Sequence, residues 1–301
     1  MTSWKLTLPC TRAEAEAIEI GDALAAIEPV PVLMTSERVV DDPNAWQLDA
    51  YFEAKPGKAA IASLRALVPS AGDAEPVVEK LAEEDWVTLS QAGIEPVATR
   101  RFYVHTGTNK GEVPMGAKAF RIEAGLAFGT GTHETTSGCL MMLEAIRAQG
   151  AVVRNLIDLG TGTGLLAFAA MHLWPRAYAT ATDIDPVAID VTVENAGVNG
   201  VPLGLHPGEL ALTVADGAAD PLVLARAPYD LVIANILAGP LIAMSADFAA
   251  LTAPGGQIVL AGLLTSQADA VARAYRRHGC RMAGRIERGD WTILRLRKRR
   301  R

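Results

Sequence analysis

Residues 156–164 read Leu-Ile-Asp-Leu-Gly-Thr-Gly-Thr-Gly, an apolar run holding Asp158 that stops in three glycines at alternate positions, Gly160, Gly162 and Gly164. Glycines, lacking a Cβ, let the backbone of such a loop approach a ligand closely. The helical spacing of residues 165–173 puts this loop between a buried strand and a helix N-terminus. That is a nucleotide-binding arrangement. A second apolar run, residues 177–182, ends in Asp183, whose carboxylate can accept hydrogen bonds from both hydroxyls of a ribose. A dinucleotide fingerprint would need its third glycine where Leu165 stands, so the register argues against a bound pyrophosphate. Taken singly, Asp158, Asp183 and Asp185 read as turn caps; beside the glycine loop they read as parts of a nucleoside site.

The Gly-x-Gly-x-Gly register resembles that of class I S-adenosylmethionine-dependent methyltransferases, which implies S-adenosylmethionine as the cofactor. In an open α/β sheet the ligand lies outside the carboxyl ends of the strands, and the residues expected there are Gly160, Asp183, Asp216 and Asn235. Asn235 ends the run Leu231-Val232-Ile233-Ala234. Its carboxamide can accept a hydrogen bond from an amine and aim the nitrogen lone pair without adding charge; it can also cap a helix that precedes Pro240. Asp216 can bind an adenine amino group or close a turn. Methyltransferases of planar amide nitrogens resemble one another in an Asn/Asp-Pro-Pro-aromatic stretch. Here Ile236 and Leu237 follow, which suits a non-planar aliphatic amine. His133 is a candidate base because the ordinary pKa of a histidine lies near neutrality, ranked below a loop-stabilising role because a lysine can lose its proton to water.

These residues need a scaffold, and the alternation of strand-like and helical runs after residue 151 supplies one. Runs at 177–182, 229–234 and 257–262 alternate with helical runs at 187–196, 241–251 and 267–278. Two closing strand-like runs, 281–286 and 291–296, flank Glu287-Arg288-Gly289-Asp290, which has hairpin chemistry. This predicts an α/β fold, a doubly wound, mostly parallel sheet with one antiparallel strand. Ahead of it, strand-like and helical runs follow in the order strand, helix, strand, strand, helix, with Thr11 and Glu14 at capping-box spacing. They predict a small N-terminal α+β domain over residues 1–90. Residues 91–124 are punctuated by Gly93, Pro96, Gly107, Gly111, Pro114 and Gly116 and read as a linker region. Residues 125–301 then form the cofactor-binding domain.

Gly125-Leu126-Ala127-Phe128-Gly129-Thr130-Gly131-Thr132-His133, the corner Asp183-Ile184-Asp185-Pro186 and Asn235-Ile236-Leu237-Ala238 together resemble the ribosomal protein L11 methyltransferase family. The likeness covers roughly residues 84–297, and Glu134, Thr161 and Thr163 depart from the family's commonest choices. It implies a Rossmann-like, seven-stranded methyltransferase sheet and a bacterial cytoplasmic enzyme. Such an enzyme uses S-adenosylmethionine to methylate lysine side chains and the terminal α-amine of ribosomal protein L11, with the N-terminal domain docking the substrate. Matching motif positions put cofactor contacts on Thr136, Gly160, Asp183 and Asn235. Related lysine methyltransferases act on other proteins, such as the β subunit of electron-transfer flavoprotein. A non-catalytic, cofactor-dependent module on ribosomal RNA is an alternative of another class.

Composition narrows the setting. The chain has 301 residues, half of them hydrophobic, enough for two domains. Three widely spaced cysteines, Cys10, Cys139 and Cys280, match no metal motif and suit a reducing, intracellular compartment. The N-terminus lacks a signal-peptide pattern, and the apolar region 222–251 is broken by Arg226, Asp230, Asn235 and Asp247, so no membrane span is expected. Net charge is −6, yet six of the last seven residues are basic and the rest of the chain stands at −12. An acidic body favours a basic protein partner. The tail reads as a frayed, solvated end or as a weak contact to ribosomal RNA. Glu83-Glu84-Asp85 reads as solvated surface.

Overall fold

The computed structural model describes residues 3–20, 31–38, 42, 44–52, 54–81, 95–122 and 132–300. The chain divides into two compact units, Met1–Ser90 and Gln91–Arg301. In the first unit, β1 (Ser3–Cys10), α1 (Arg12–Ile20), β2 (Val32–Glu37), β3 (Trp46–Phe52), α2 (Lys58–Leu67) and β4 (Val77–Leu81) follow in sequence. The strands form an antiparallel sheet in the order β2-β3-β1-β4. Alternate residues Leu6, Leu8, Leu48, Ala50 and Phe52 face one side and bury against Leu64 and Val68, so one sheet face and one helix stripe make the core. The Thr11 amide donates to Glu14 (2.8 Å) and the Glu14 amide to the Thr11 hydroxyl (3.4 Å), closing the capping box at the start of α1.

The stretch expected as a linker carries β5 (Val97–Ala98), β6 (Phe102–His105) and β7 (Lys118–Arg121), a three-stranded sheet within the second unit. Phe102, Val104, Phe120 and Ile122 are buried in the same core as the cofactor-loop helix. Short strands between glycines and prolines have a linker's composition; four buried apolar side chains make them part of the domain.

Then come α3 (Thr132–Ala148), β8 (Asn155–Leu159), α4 (Leu165–Leu173), β9 (Tyr178–Asp183), α5 (Pro186–Asn199), β10 (Leu210–Val214), α6 (Pro221–Arg226), β11 (Tyr229–Asn235), α7 (Ala238–Ala243), α8 (Ser245–Leu251), β12 (Thr252–Leu264), α9 (Ala268–Arg277), β13 (Cys280–Arg288) and β14 (Trp291–Lys298). Glu144 of α3 accepts from the Thr99 hydroxyl (2.6 Å) and the Arg101 amide (2.8 Å). Asn199 of α5 holds both backbone polar groups of Arg121, so the small sheet is fixed to two helices. The large sheet has the order β10-β9-β8-β11-β12-β14-β13. Strands β8 to β12 are parallel, and β14 lies antiparallel between β12 and β13. One core packs α3 and α4 on one face; a second packs α7, α8 and α9 on the other. The order reverses between β8 and β11, the switch point beyond which doubly wound sheets hold ligands. Among the described residues no helix is long and apolar enough to cross a membrane.

Candidate active site

The loop between β8 and α4 is built around backbone conformations that only glycine adopts without strain. Gly160 has φ +72°, and a Cβ there would sit 2.4 Å from Ile236 Cγ2. Gly164 has φ +84°, and its Cβ would sit 2.5 Å from Phe168 Cζ and 2.8 Å from Thr192 Cγ2. The two glycines serve different ends. Gly160 lines a cleft; Gly164 lies beneath it and lets α4 pack against α5. Gly164, expected as a cofactor contact, is therefore a packing position.

Asp158 is corrected in the same way. It is 1% exposed and does not line the cleft; its Oδ2 accepts from the Thr161 hydroxyl (2.8 Å) and the Ala167 amide (3.1 Å). Burial pushes its pKa up to about 7, against the pull of those two hydrogen bonds, and Asp183 nearby adds to the rise. It ties the loop to the first turn of α4.

Asp183 ends β9 and lines the cleft. Its Oδ2 accepts from the Gly162 amide (2.9 Å) and its Oδ1 from the Asp185 amide (3.1 Å). A carboxylate has about four acceptor positions, so two remain for the ribose diol. Asp216 follows β10 and is exposed at the cleft, beside Ala215 and Gly217. Thr136, buried in the first turns of α3, also lines it.

Asn235 ends β11, opposite Ala261 of β12. The N-cap of α7 is Leu237, so capping is not its role, and its carboxamide makes no hydrogen bond among the described residues. It opens into the same cleft as Asp183. The loop at 125–131 lies outside the described residues, as does the side chain of His133.

The cleft has a volume of about 740 Å³, within the range of small-molecule sites. Sequence reasoning missed Ile184, Met244, Phe248 and Trp291 in its walls. Ile184 could have been read from its place after Asp183. Trp291 could not, because only the pairing of β14 with β12 brings it there. An acceptor carboxylate with free lone pairs, a glycine loop at backbone distance, apolar walls and an exposed Asp216 together fit an adenosine carrying a short polar tail.

Fold and cleft define an S-adenosylmethionine-dependent methyltransferase. The family model described as ribosomal protein L11 methyltransferase (PrmA) matches residues 3–299, and the chain belongs to that family. A relative of the same name from Brucella suis is 37% identical over 298 residues, 98% of this chain and all of that protein. Another from Rhodopseudomonas palustris is 41% identical over 260 residues, 85% of this chain and 84% of its own length. The crystal structure of ribosomal protein L11 methylase from Lactobacillus delbrueckii subsp. bulgaricus is similar at 25% identity and a TM-score of 0.57, covering 68% of this chain and 98% of that one. The protein is thus an enzyme, a protein methyltransferase with S-adenosylmethionine as methyl donor.

Proposed function

We propose that this enzyme methylates amino groups of ribosomal protein L11, lysine side chains and the terminal α-amine, with Asn235 receiving the amine. The observation that carries the reading is the uncommitted carboxamide of Asn235 in the cleft shared with Asp183, followed by Ile236 and Leu237. S-adenosylmethionine, when bound, supplies an electrophilic methyl group on its sulfonium. Asn235 Oδ1 accepts an N–H of the neutral amine and holds its lone pair in line with that methyl group; the extra proton leaves to water. Aliphatic Ile236 and Leu237 leave room for a tetrahedral nitrogen and offer no ring for a planar amide. Asp183 holds the ribose, Thr136, Gly160 and Gly162 face the rest of the cofactor, and Asp216 takes the adenine amino group.

Residues 1–90 serve as the substrate-recognition domain and residues 91–301 as the S-adenosylmethionine-binding methyltransferase domain. The basic C-terminal segment makes a weak contact with ribosomal RNA. Purified enzyme and labelled cofactor, added to lysates with and without ribosomes and ribosomal proteins, test the reading. Label on ribosomal protein L11 supports it. Label on another protein, such as the electron-transfer flavoprotein β subunit, replaces the substrate, and no label on any protein removes the proposal.

A further inference from the structure

Charge is distributed unevenly along this chain. The 34 residues from Ala268 onward hold twelve of its 28 basic residues and three of its 34 acidic ones, a net of +9 against −15 for everything before them. Part of that charge is committed to the fold. Lys298 Nζ donates to the carbonyls of Ala249 (2.6 Å) and Thr252 (2.8 Å), and Arg297 Nε to that of Gly255 (3.1 Å). Arg295 is buried on Gln257 (2.9 Å) and Gln149 (2.7 Å). The supposed frayed tail is thus strand β14 as far as Lys298.

Apart from Arg288, which pairs with Trp291 at the cleft end, what is left uncommitted gathers at the other end of the sheet. Arg273, Arg276 and Arg277 lie three and four residues apart on the exposed face of α9, opposite the buried Val271, Ala274 and Tyr275. The Arg299 amide donates to the carbonyl of Gly279 (3.1 Å), which brings the end of β14 to the turn after α9. Arg281 stands directly opposite Arg297 in the β13–β14 register, a like-charge pair that destabilises a sheet unless an anion lies over it; with Cys280 and Leu296 buried on the α9 side, the pair projects from the other side of the same sheet end. Among the described residues no carboxylate pairs with Arg273, Arg276, Arg277, Arg281, Arg299 or Arg300. In β12 the partner of Arg297 is Gln257, whereas the cleft is reached at Gly262, so this basic end and the cleft lie at opposite ends of the strand, about 15 Å apart.

We propose that this end of the sheet binds the phosphate backbone of RNA, seating the enzyme on ribosomal RNA with its cleft turned away from the bound strand. The inference deepens the ribosomal-substrate reading and rests on it for the choice of RNA. The surface chemistry agrees. Between Arg276 and Met282 the exposed large side chains are Arg276, Arg277, His278, Arg281 and Met282, so a single apolar group stands among the cations, where a protein interface centres on an apolar cluster. Phosphate recognition needs only guanidinium groups in an array.

The test is fluorescence anisotropy of the full chain with a short labelled RNA hairpin across a salt series, with polyglutamate as competitor. Arg276→Ala/Arg277→Ala/Arg281→Ala should flatten the slope of log affinity against log salt by about 3, and a chain ending at Lys298 should flatten it by a similar amount. The charge-keeping triple Arg→Lys variant should bind like the wild type. Methylation of free ribosomal protein L11 by the same preparations should be unchanged. Absence of RNA binding by the wild type at low salt overturns the proposal, as does an unaltered slope in either weakened variant. Displacement of RNA by polyglutamate at equal charge also overturns it. If the alanine triple fails to methylate because it does not fold, the Lys298 truncation decides alone. RNA binding without methylation of ribosomal protein L11 would instead remove the substrate reading.

Discussion

Replacing Asp183 with alanine removes four hydrogen-bond acceptor positions from the mouth of the cleft. Two of them hold the Gly162 and Asp185 amides at 2.9 and 3.1 Å, and the other two are assigned to the ribose hydroxyls. Hydrogen bonds to a charged group contribute about 1.5–3 kcal/mol each, so Asp183→Ala, which removes two of them, should weaken cofactor binding by about 150-fold or more. The loop amides can turn to water, and thermal stability should fall by no more than about 1–2 kcal/mol. Loop loosening alone would also lower affinity, so the assay must separate the two. Calorimetric titration with S-adenosylhomocysteine and with its 2′-deoxy analogue does so. The wild type should discriminate strongly between them, whereas the alanine variant should bind both with nearly the same affinity. Equal discrimination in the two proteins would refute the ribose assignment, even if the absolute affinity drops.

Asn235→Ala should lower kcat far more than cofactor affinity, because its partner is the amine in the transition state; equal losses in the two would make it a cofactor ligand. Gly164→Ala forces a positive φ on a residue with a Cβ and drives that Cβ into Phe168, so it should destabilise the enzyme by about 2–4 kcal/mol in urea unfolding, and a neutral result would contradict the packing role. Asp158 has its pKa raised from 3.8 to about 7, so the native state holds a proton that the unfolded chain has lost in that interval. Its contribution to stability must therefore fall as pH rises from about 4 to about 7, and Asp158→Asn should flatten that decline in denaturation curves, whereas an unchanged slope would contradict it. A fragment Gln91–Arg301, cut at the boundary between the two units, should bind cofactor normally and lose most activity on its protein substrate; full-rate methylation would reject recognition by residues 1–90.

The cofactor loop was legible because its ligand-facing backbone is contiguous: strand, glycines and helix follow one another within nineteen residues, and each has its own local signature. The doubly wound sheet was legible for the same reason, as periodic runs between turns. Roles set by depth were not. Asp158 and Gly164 belong to the motif, yet one side chain and one missing side chain point into packing rather than into the cleft, and sequence spacing does not distinguish the two directions. Trp291 reaches the cleft through the register Leu264↔Trp291, a contact across 27 residues that no local pattern encodes. The three strands between Val97 and Arg121 are two to four residues long, too short for a periodicity to stand out against their glycines and prolines. Their signal was Phe102 and Phe120, apolar side chains that a solvated linker does not keep.

The most direct measurement is the intact mass of purified, unmodified ribosomal protein L11 after incubation with S-adenosylmethionine and either the wild-type enzyme or Asn235→Ala. The account predicts mass gains in whole methyl increments with the wild type, mapping by fragmentation to lysine side chains and the α-amine, and slow or absent gain with the variant at saturating cofactor. A wild-type enzyme that binds S-adenosylmethionine yet leaves the mass of that protein unchanged would contradict it.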